Sequence, residues 1–342
     1  MNKAALTFLV ALAALHLPVA LRAQPISDFY KGKTIVLVVS SSVGGGYDML
    51  SRAVARHLPK HLAGAPTIIV RNMPGAGGIT AANYLYTLAP RDGLTIGGLQ
   101  NSTPFEPLLG AKGANFDATK FNWLSSPSFE TGLLMLWHTV PINSVEEMRT
   151  REVLVASSAA NSSPSGYARL LSTLLGIKLK IVLGYPGMIE SFLALENGEV
   201  EGYPSAFWSA LMATRPNWVA EKKVKFIVQF GPEKEKGLGD VPAVEDLLTK
   251  PDDTSLLQAA IAPLKLGRPF VAPPGVPAER VEILQDAVMA TFADPDFLAE
   301  AEKQKLGINV SRPPAMLKDI VDRAYSTPPA IIERLRAIAQ RP

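Results

Sequence analysis

Short β-branched runs alternate with amphipathic helical patterns along most of this chain, joined by glycine-rich turns, and that alternation restricts the fold more than any other feature. Thr34-Ile35-Val36-Leu37-Val38-Val39 is unbroken apolar sequence, as a strand covered on both faces requires. A turn of serines and glycines, Ser40 to Gly46, follows. Leu50, Val54 and Leu58 then recur every four residues beside Met49 and Ala53, the apolar face of a helix. The unit returns as the strand Thr67 to Val70, the turn Met73 to Gly78 and a helix over Ile79 to Leu88. Arg91-Asp92-Gly93 then turns the chain into a strand at Leu94 to Leu99. Strand and helix in alternation, with short turns, predict an α/β fold built on open parallel sheets.

A second block of this kind opens at Val153-Leu154-Val155-Ala156 and runs through a helix from Ile189 to Asn197, with Gly198 at its C-terminal cap, to a strand at Lys225 to Gln229. The remainder is helical in pattern. Val281, Leu284, Val288 and Phe292 form one stripe after Pro277, and further helices are predicted over Phe297 to Lys305, Met316 to Tyr325 and Ile331 to Ile338. A chain of 342 residues exceeds one typical domain, and a hydrophobic content of 47% is ample for two cores. The expected division is two lobes, 24–128 with 231–342 in the first and 129–230 in the second.

The first residues bear on compartment. Met1-Asn2-Lys3 is basic, Ala4 to Leu21 is nearly all apolar, and the small residue Ala23 precedes Gln24-Pro25. That arrangement predicts a secretory signal peptide over residues 1–23, cleaved near Ala23, and a periplasmic mature protein. Pro18 and Arg22 interrupt a run already short for a membrane span. Removing the first 23 of 342 residues leaves 319 and lowers the formal net charge from +3 to +1, because Lys3 and Arg22 are lost. A near-neutral chain lacks the concentrated basic face that nucleic acid needs, so no nucleic-acid partner is expected. Without cysteine there are no disulfides and no thiolate chemistry.

The chemistry-bearing segments lie at strand ends. Ser42, Val43, Gly44, Gly45, Tyr47 and Asp48 form the first glycine-rich turn, and Gly75, Ala76, Gly77 and Gly78 the second. Glycines let backbone approach a ligand, and the following helix offers free N–H groups to an anion. In open α/β sheets such turns lie where ligands bind. Asn101 follows the strand Leu94 to Leu99. In the second block Ser158, Asn161, Ser162 and Ser163 supply hydroxyls and an amide ahead of a helix. Tyr185, in Gly184-Tyr185-Pro186-Gly187, and Ser205, in Gly202-Tyr203-Pro204-Ser205, complete the candidate ligand contacts, with Trp208 as further aromatic surface.

Neither turn is a nucleotide fingerprint. Thr80 stands where the dinucleotide pattern needs its third glycine, and no Gly-Lys-Ser/Thr occurs. No cofactor is therefore expected. Ser165 and Ser205 lack the Gly-x-Ser-x-Gly elbow of hydrolases. His57 and His61 have the spacing of a helical metal pair, but Pro59 lies between them and no Glu follows His57, so no metal site is expected. His138, beside Trp137 on an apolar stretch, reads as structural. Binding is favoured over catalysis. The alternatives are a ligand-presenting sensor for a membrane kinase and a secreted serine hydrolase.

In order along the chain stand Asp28-Phe29-Tyr30-Lys31-Gly32-Lys33, Gly45-Gly46-Tyr47-Asp48, Asn72-Met73-Pro74-Gly75-Ala76-Gly77-Gly78, Arg91-Asp92-Gly93, Leu195 to Glu201, Ala272-Pro273-Pro274-Gly275-Val276-Pro277 and Ala293-Asp294-Pro295-Asp296-Phe297. This series resembles the extracytoplasmic solute-binding proteins of tripartite tricarboxylate transporters, the Bug or TctC-like family. The resemblance implies a two-lobed periplasmic-binding-protein fold of type 2, with a small carboxylate closed between the lobes and gripped largely by backbone groups and water. It also implies docking of the closed form, a monomer, on membrane permease subunits. Ser42-Val43 stands where family members usually carry Pro, and Gly166-Tyr167 where many carry His. Both departures fall at the expected site and leave room for a larger ligand, such as an aromatic or amino acid.

Overall fold

The computed structural model describes residues 29–44, 46–160, 162–185 and 187–339. The expected export segment, Gly45 and Asn161 lie outside the described residues. No helix among the described residues is long and apolar enough to cross a membrane.

Two five-stranded sheets carry the fold. In the first, β1 (Thr34–Val39) pairs in parallel with β2 (Thr67–Asn72) and β3 (Thr95–Gly98). Beyond β3, β10 (Phe270–Ala272) lies antiparallel between it and β4 (Asn122–Ser125). The second sheet repeats the plan. Its β6 (Val153–Ala156) runs parallel to β7 (Leu179–Val182) and β8 (Gly202–Phe207). Then β5 (Gly132–Trp137) lies antiparallel between β8 and β9 (Val224–Phe230). The sheets are thus mixed rather than wholly parallel. Strands β5 and β10 each arrive from the other sheet, so they enter beside the carboxyl ends of the parallel strands and must run against them.

Burial explains the strands. In β1, Ile35, Leu37, Val38 and Val39 are all fully buried, with Leu37 and Val38 facing opposite cores. On one side the helix Gly46–His57 lays Leu50, Ala53 and Val54 over the sheet. On the other the helix Ile79–Thr87 contributes Ile79, Ala82 and Leu85. Strand β5 is the equivalent in the second lobe. Leu134 and Leu136 face one core while Leu133 and Met135 face another with Phe192, Leu195 and Trp218. Each fully buried side chain of this size contributes about 1.5–3 kcal/mol.

His57 and His61 meet different carboxylates. His57 Nε2 lies 2.7 Å from Glu300 and His61 Nε2 3.0 Å from Asp294, so the pair staples its helix end to the helix Pro295–Lys303.

The segment from 231 onward is divided between the cores. Phe270, Leu284, Phe292 and Phe297 join the first sheet. Val244, Leu256, Leu257, Ile261 and Leu264, with Ile331 and Ile338 of the C-terminal helix Pro329–Ala339, pack against the second. The expected placement of all 231–342 with the first lobe does not follow this packing, because those two amphipathic stretches face the apolar side of β5, β6 and β9.

The chain passes between the sheets twice, through 126–131 and through 231–269, and the two passages touch. The Ser126 hydroxyl accepts from the Arg268 amide at 2.9 Å and donates to the Ser128 carbonyl at 3.0 Å. The Glu130 amide donates to the Leu264 carbonyl at 3.1 Å. A third stretch laces them, since the Asn309 amide group accepts from Phe129 N–H at 3.1 Å and donates to Phe129 C=O at 2.9 Å. Gly267 has φ 68° and its backbone lies against the Ser128 carbonyl, where a β-carbon would collide. We therefore expect Gly267→Ala to lower stability by about 2 kcal/mol or more. The readout is a lower urea midpoint with the slope unchanged. An unchanged midpoint would mean that the passages are not pressed together.

Candidate functional site

Between the lobes lies a cavity of about 470 Å³, within the roughly 300–1,000 Å³ range of ligand pockets. Its first-lobe wall is Tyr47, Gln100, Asn101, Ser102, Phe105 and Leu108. The passages between the lobes supply Glu130, Gly267 and Arg268. The second-lobe wall is Ser163, Gly166, Tyr167, Leu170 and Phe207, and the C-terminal helix closes one side with Ile332, Leu335 and Ile338.

The polar groups are held in place from outside the cavity. Arg268 donates to the Leu306 carbonyl, and its guanidinium lies 3.9 Å from Glu130 and 6.0 Å from the centre of the Tyr47 ring. Glu130 is buried and accepts from the Ser209 hydroxyl at 2.7 Å. Burial pushes its carboxyl up, against the opposing pull of Ser209 and Arg268. The Tyr47 oxygen accepts from the Asn101 amide at 3.1 Å, so its own proton is left to donate elsewhere. Burial likewise pushes the Tyr47 phenol up. Tyr167 stacks on Phe230 with ring centres 4.9 Å apart, and burial pushes its phenol up as well. The helix Ser163–Leu175 turns its first turn to the cavity through Ser163 and Gly166, bringing the positive end of its dipole to it.

Of the candidate contacts read from sequence, Tyr47, Asn101 and Ser163 line the cavity. Others have different work. Asp48 is buried, and its carboxylate accepts from Gly44 N–H at 2.8 Å, Arg52 Nε at 3.0 Å and Asn72 Nδ2 at 2.8 Å. It ties the first turn to β2 and is not among the residues that line the cavity. Ser42, Val43 and Gly44 are exposed on that turn, outside the cavity wall. Gly75, Ala76, Gly77 and Gly78 all have positive φ, and the Gly77 carbonyl accepts from the Thr103 hydroxyl at 2.8 Å. That turn therefore braces the loop carrying Gln100 to Ser102 from behind.

In the second lobe the hydroxyls satisfy one another. Ser157 Oγ lies 2.8 Å from Ser162 Oγ and 2.7 Å from Ser165 Oγ, and Ser162 and Ser165 both donate to the Ala159 carbonyl. Ser158 contributes its carbonyl to Gly184 N–H. Tyr185 turns its hydroxyl to Glu199 at 3.3 Å, and Ser205 is buried within β8. None of these lines the cavity.

Glu130, Arg268 and Phe207, which the sequence analysis did not single out, also line the cavity, as does Tyr167, which it placed at the expected site. A signal for the charged pair was present. Glu130 is the one Asp, Glu, Lys or Arg in 121–145, and Arg268 the one in 266–278. A lone charge in a long apolar stretch needs a partner and a reason.

Three comparisons bear on this geometry. Residues 50–334 match the family model described as the tripartite tricarboxylate transporter family receptor. The UPF0065 protein in the gbd 5′ region of Cupriavidus necator is 28% identical over 305 residues, covering 84% of this chain and 83% of that one. A TctC solute binding protein from Polaromonas, solved with no ligand, superposes with a TM-score of 0.71 at 20% identity, over 89% of this chain and 99% of its own. MatC from Rhodopseudomonas palustris, solved with bound malate, gives 0.57 at 22% identity, over 90% and 99%. The likeness to these two shows the two-lobed binding-protein fold.

Because Asp48 supports the turn, Asp48→Asn should cost about 1–3 kcal/mol at neutral pH while leaving ligand affinity unchanged in the folded protein. Burial raises the Asp48 carboxyl, but Arg52, Gly44 N–H and Asn72 together hold it below its ordinary value of 3.8. The stability this contributes is present above pH 3.8 and lost as pH falls further, so the variant's deficit should shrink in acid. A large affinity loss in the folded variant would instead make Asp48 a ligand contact.

Proposed function

The chain belongs to the tripartite tricarboxylate transporter receptor family, and from that premise we propose that it captures a small organic carboxylate in the cavity between its lobes and presents it to the membrane subunits of such a transporter. As a member of that family it is a receptor, not an enzyme. The observation that carries the reading is the cavity itself. Both lobes wall it, and a cation, a phenol hydroxyl and a helix N-terminus all face into it. Each suits an anion. The malate held by MatC is a ligand of this class.

In this reading the mature protein works in the periplasm, where the receptors of this family act. The two passages at 126–131 and 231–269 bend as the lobes close, and the closed monomer is the form the permease meets. The Ser157, Ser162 and Ser165 cluster, bonded within itself, supports no hydrolase reading.

Thermal unfolding of the mature protein against mono-, di- and tricarboxylates, aromatic acids and amino acids tests this. An acid at about 100 times its Kd adds about 2.7 kcal/mol of stability. A clear rise in Tm with at least one acid class is the expected result. No rise with any acid, on protein whose denatured extract holds no copurified ligand by mass spectrometry, would refute carboxylate capture.

A further inference from the structure

The lining of the cavity divides into a polar and an apolar set. Arg268, Glu130, Tyr47 and Asn101 are linked by the contacts described above. Phe105, Leu108, Leu170, Leu335 and Ile338 are the apolar set. Among the described residues lining the cavity, Arg268 is the one cation and Glu130 the one carboxylate.

The apolar set is a built wall. Arg336 on the C-terminal helix reaches back to the first lobe and donates to the Leu108 carbonyl from Nε at 3.0 Å and Nη2 at 2.6 Å. Arg334 on the same helix pairs with Asp253 at 2.6 Å. From the second lobe, Arg169 donates to the Ala339 carbonyl at 3.2 Å. The helix is thereby fixed to both lobes, with Leu335 and Ile338 facing the cavity and its arginines spent on backbone and surface partners.

A ligand with charges at both ends would set one carboxylate against Leu108, Leu335 and Ile338, stripped of water and facing no cation of the lining, since Arg336 and Arg169 are engaged on backbone carbonyls. A ligand with one charge and an apolar body meets no such penalty. Building on the capture reading above, we propose that the cavity selects an amphipathic monocarboxylate, its carboxylate on the Arg268 guanidinium and the Tyr47 hydroxyl, its apolar body along Phe105, Leu108, Leu170 and Leu335. Glu130 is the group that must tolerate this anion. Burial pushes its carboxyl up, the Ser209 hydroxyl donates to one of its oxygens, and the other lies 3.9 Å from Arg268, a separation that leaves the guanidinium room to take a ligand oxygen as well.

Titration calorimetry of the mature full chain with butyrate, hexanoate, octanoate and suberate tests the proposal. Affinity should rise about fourfold for each methylene added from butyrate to octanoate. Octanoate should bind at least about tenfold more tightly than suberate, the diacid of equal length. Leu335→Trp, which adds bulk to the apolar set, should weaken octanoate about tenfold or more and leave butyrate unchanged. Arg268→Gln should abolish binding of both monoacids. Suberate binding as tightly as octanoate, or Leu335→Trp weakening butyrate and octanoate equally, would overturn the proposal. Binding of dicarboxylates alone would leave carboxylate capture standing and remove the monocarboxylate inference. Binding of no acid at all would remove both.

Discussion

The structure depends on the contact between two stretches of backbone that pass from one sheet to the other. At Gly267 that contact is too close for a β-carbon, and Ser126, Phe129 and Asn309 fasten the surrounding strands through hydrogen bonds. Because both passages lie side by side, the lobes face each other across a gap of set depth. Arg268, whose amide makes one of these bonds, and Glu130, next to Phe129, are delivered to its floor. The antiparallel entry of β5 and β10 follows from the same geometry. So does the placement of the loops after β1 and β3 on one wall and the helix Ser163–Leu175 on the other.

How much of this could be read from residues alone depended on what each segment buries. Strand β1 was legible because it is covered on both faces and therefore apolar without interruption. Strand β8 was not, since Gly202-Tyr203-Pro204-Ser205 has the composition of a turn. The structure explains that composition. A β-carbon at 202 would lie 2.6 Å from Leu136 Cδ2 and 2.8 Å from the Met135 carbonyl. The pairing of β8 with β5 also shifts register between Leu133 and Met135, opposite Pro204, which has no N–H to give. Strand β10 has three residues, too few for a pattern. Helices from the end of the chain cover the second sheet, and amphipathicity does not say which sheet a helix covers.

The candidate contacts divide for a similar reason. Glycine-rich turns at strand ends do lie around the gap, and Tyr47 and Asn101, just beyond two such strands, reach the cavity. Yet most polar side chains in those turns are consumed by the turns. Asp48 holds Gly44, Arg52 and Asn72, and the second-lobe serines hold one another. A side chain that must shape a tight turn has its bonding capacity filled by that turn. The groups left for a ligand come from unremarkable stretches, above all Arg268, whose isolation among apolar residues was the legible sign. Arg268 thus adds one side-chain cation to a lining that is otherwise mostly apolar.

The most direct test of the account is a crystal structure of the mature protein grown with whichever acid raises Tm most. Ligand density is expected between Tyr47 and Tyr167, with a carboxylate oxygen within hydrogen-bonding distance of Arg268. The lobes should also be closed further about residues 126–131 and 231–269. Density for the acid on the exposed Ser42–Gly44 turn, or anywhere outside the cavity, with Arg268 still on Glu130 and the lobes unmoved, would contradict it.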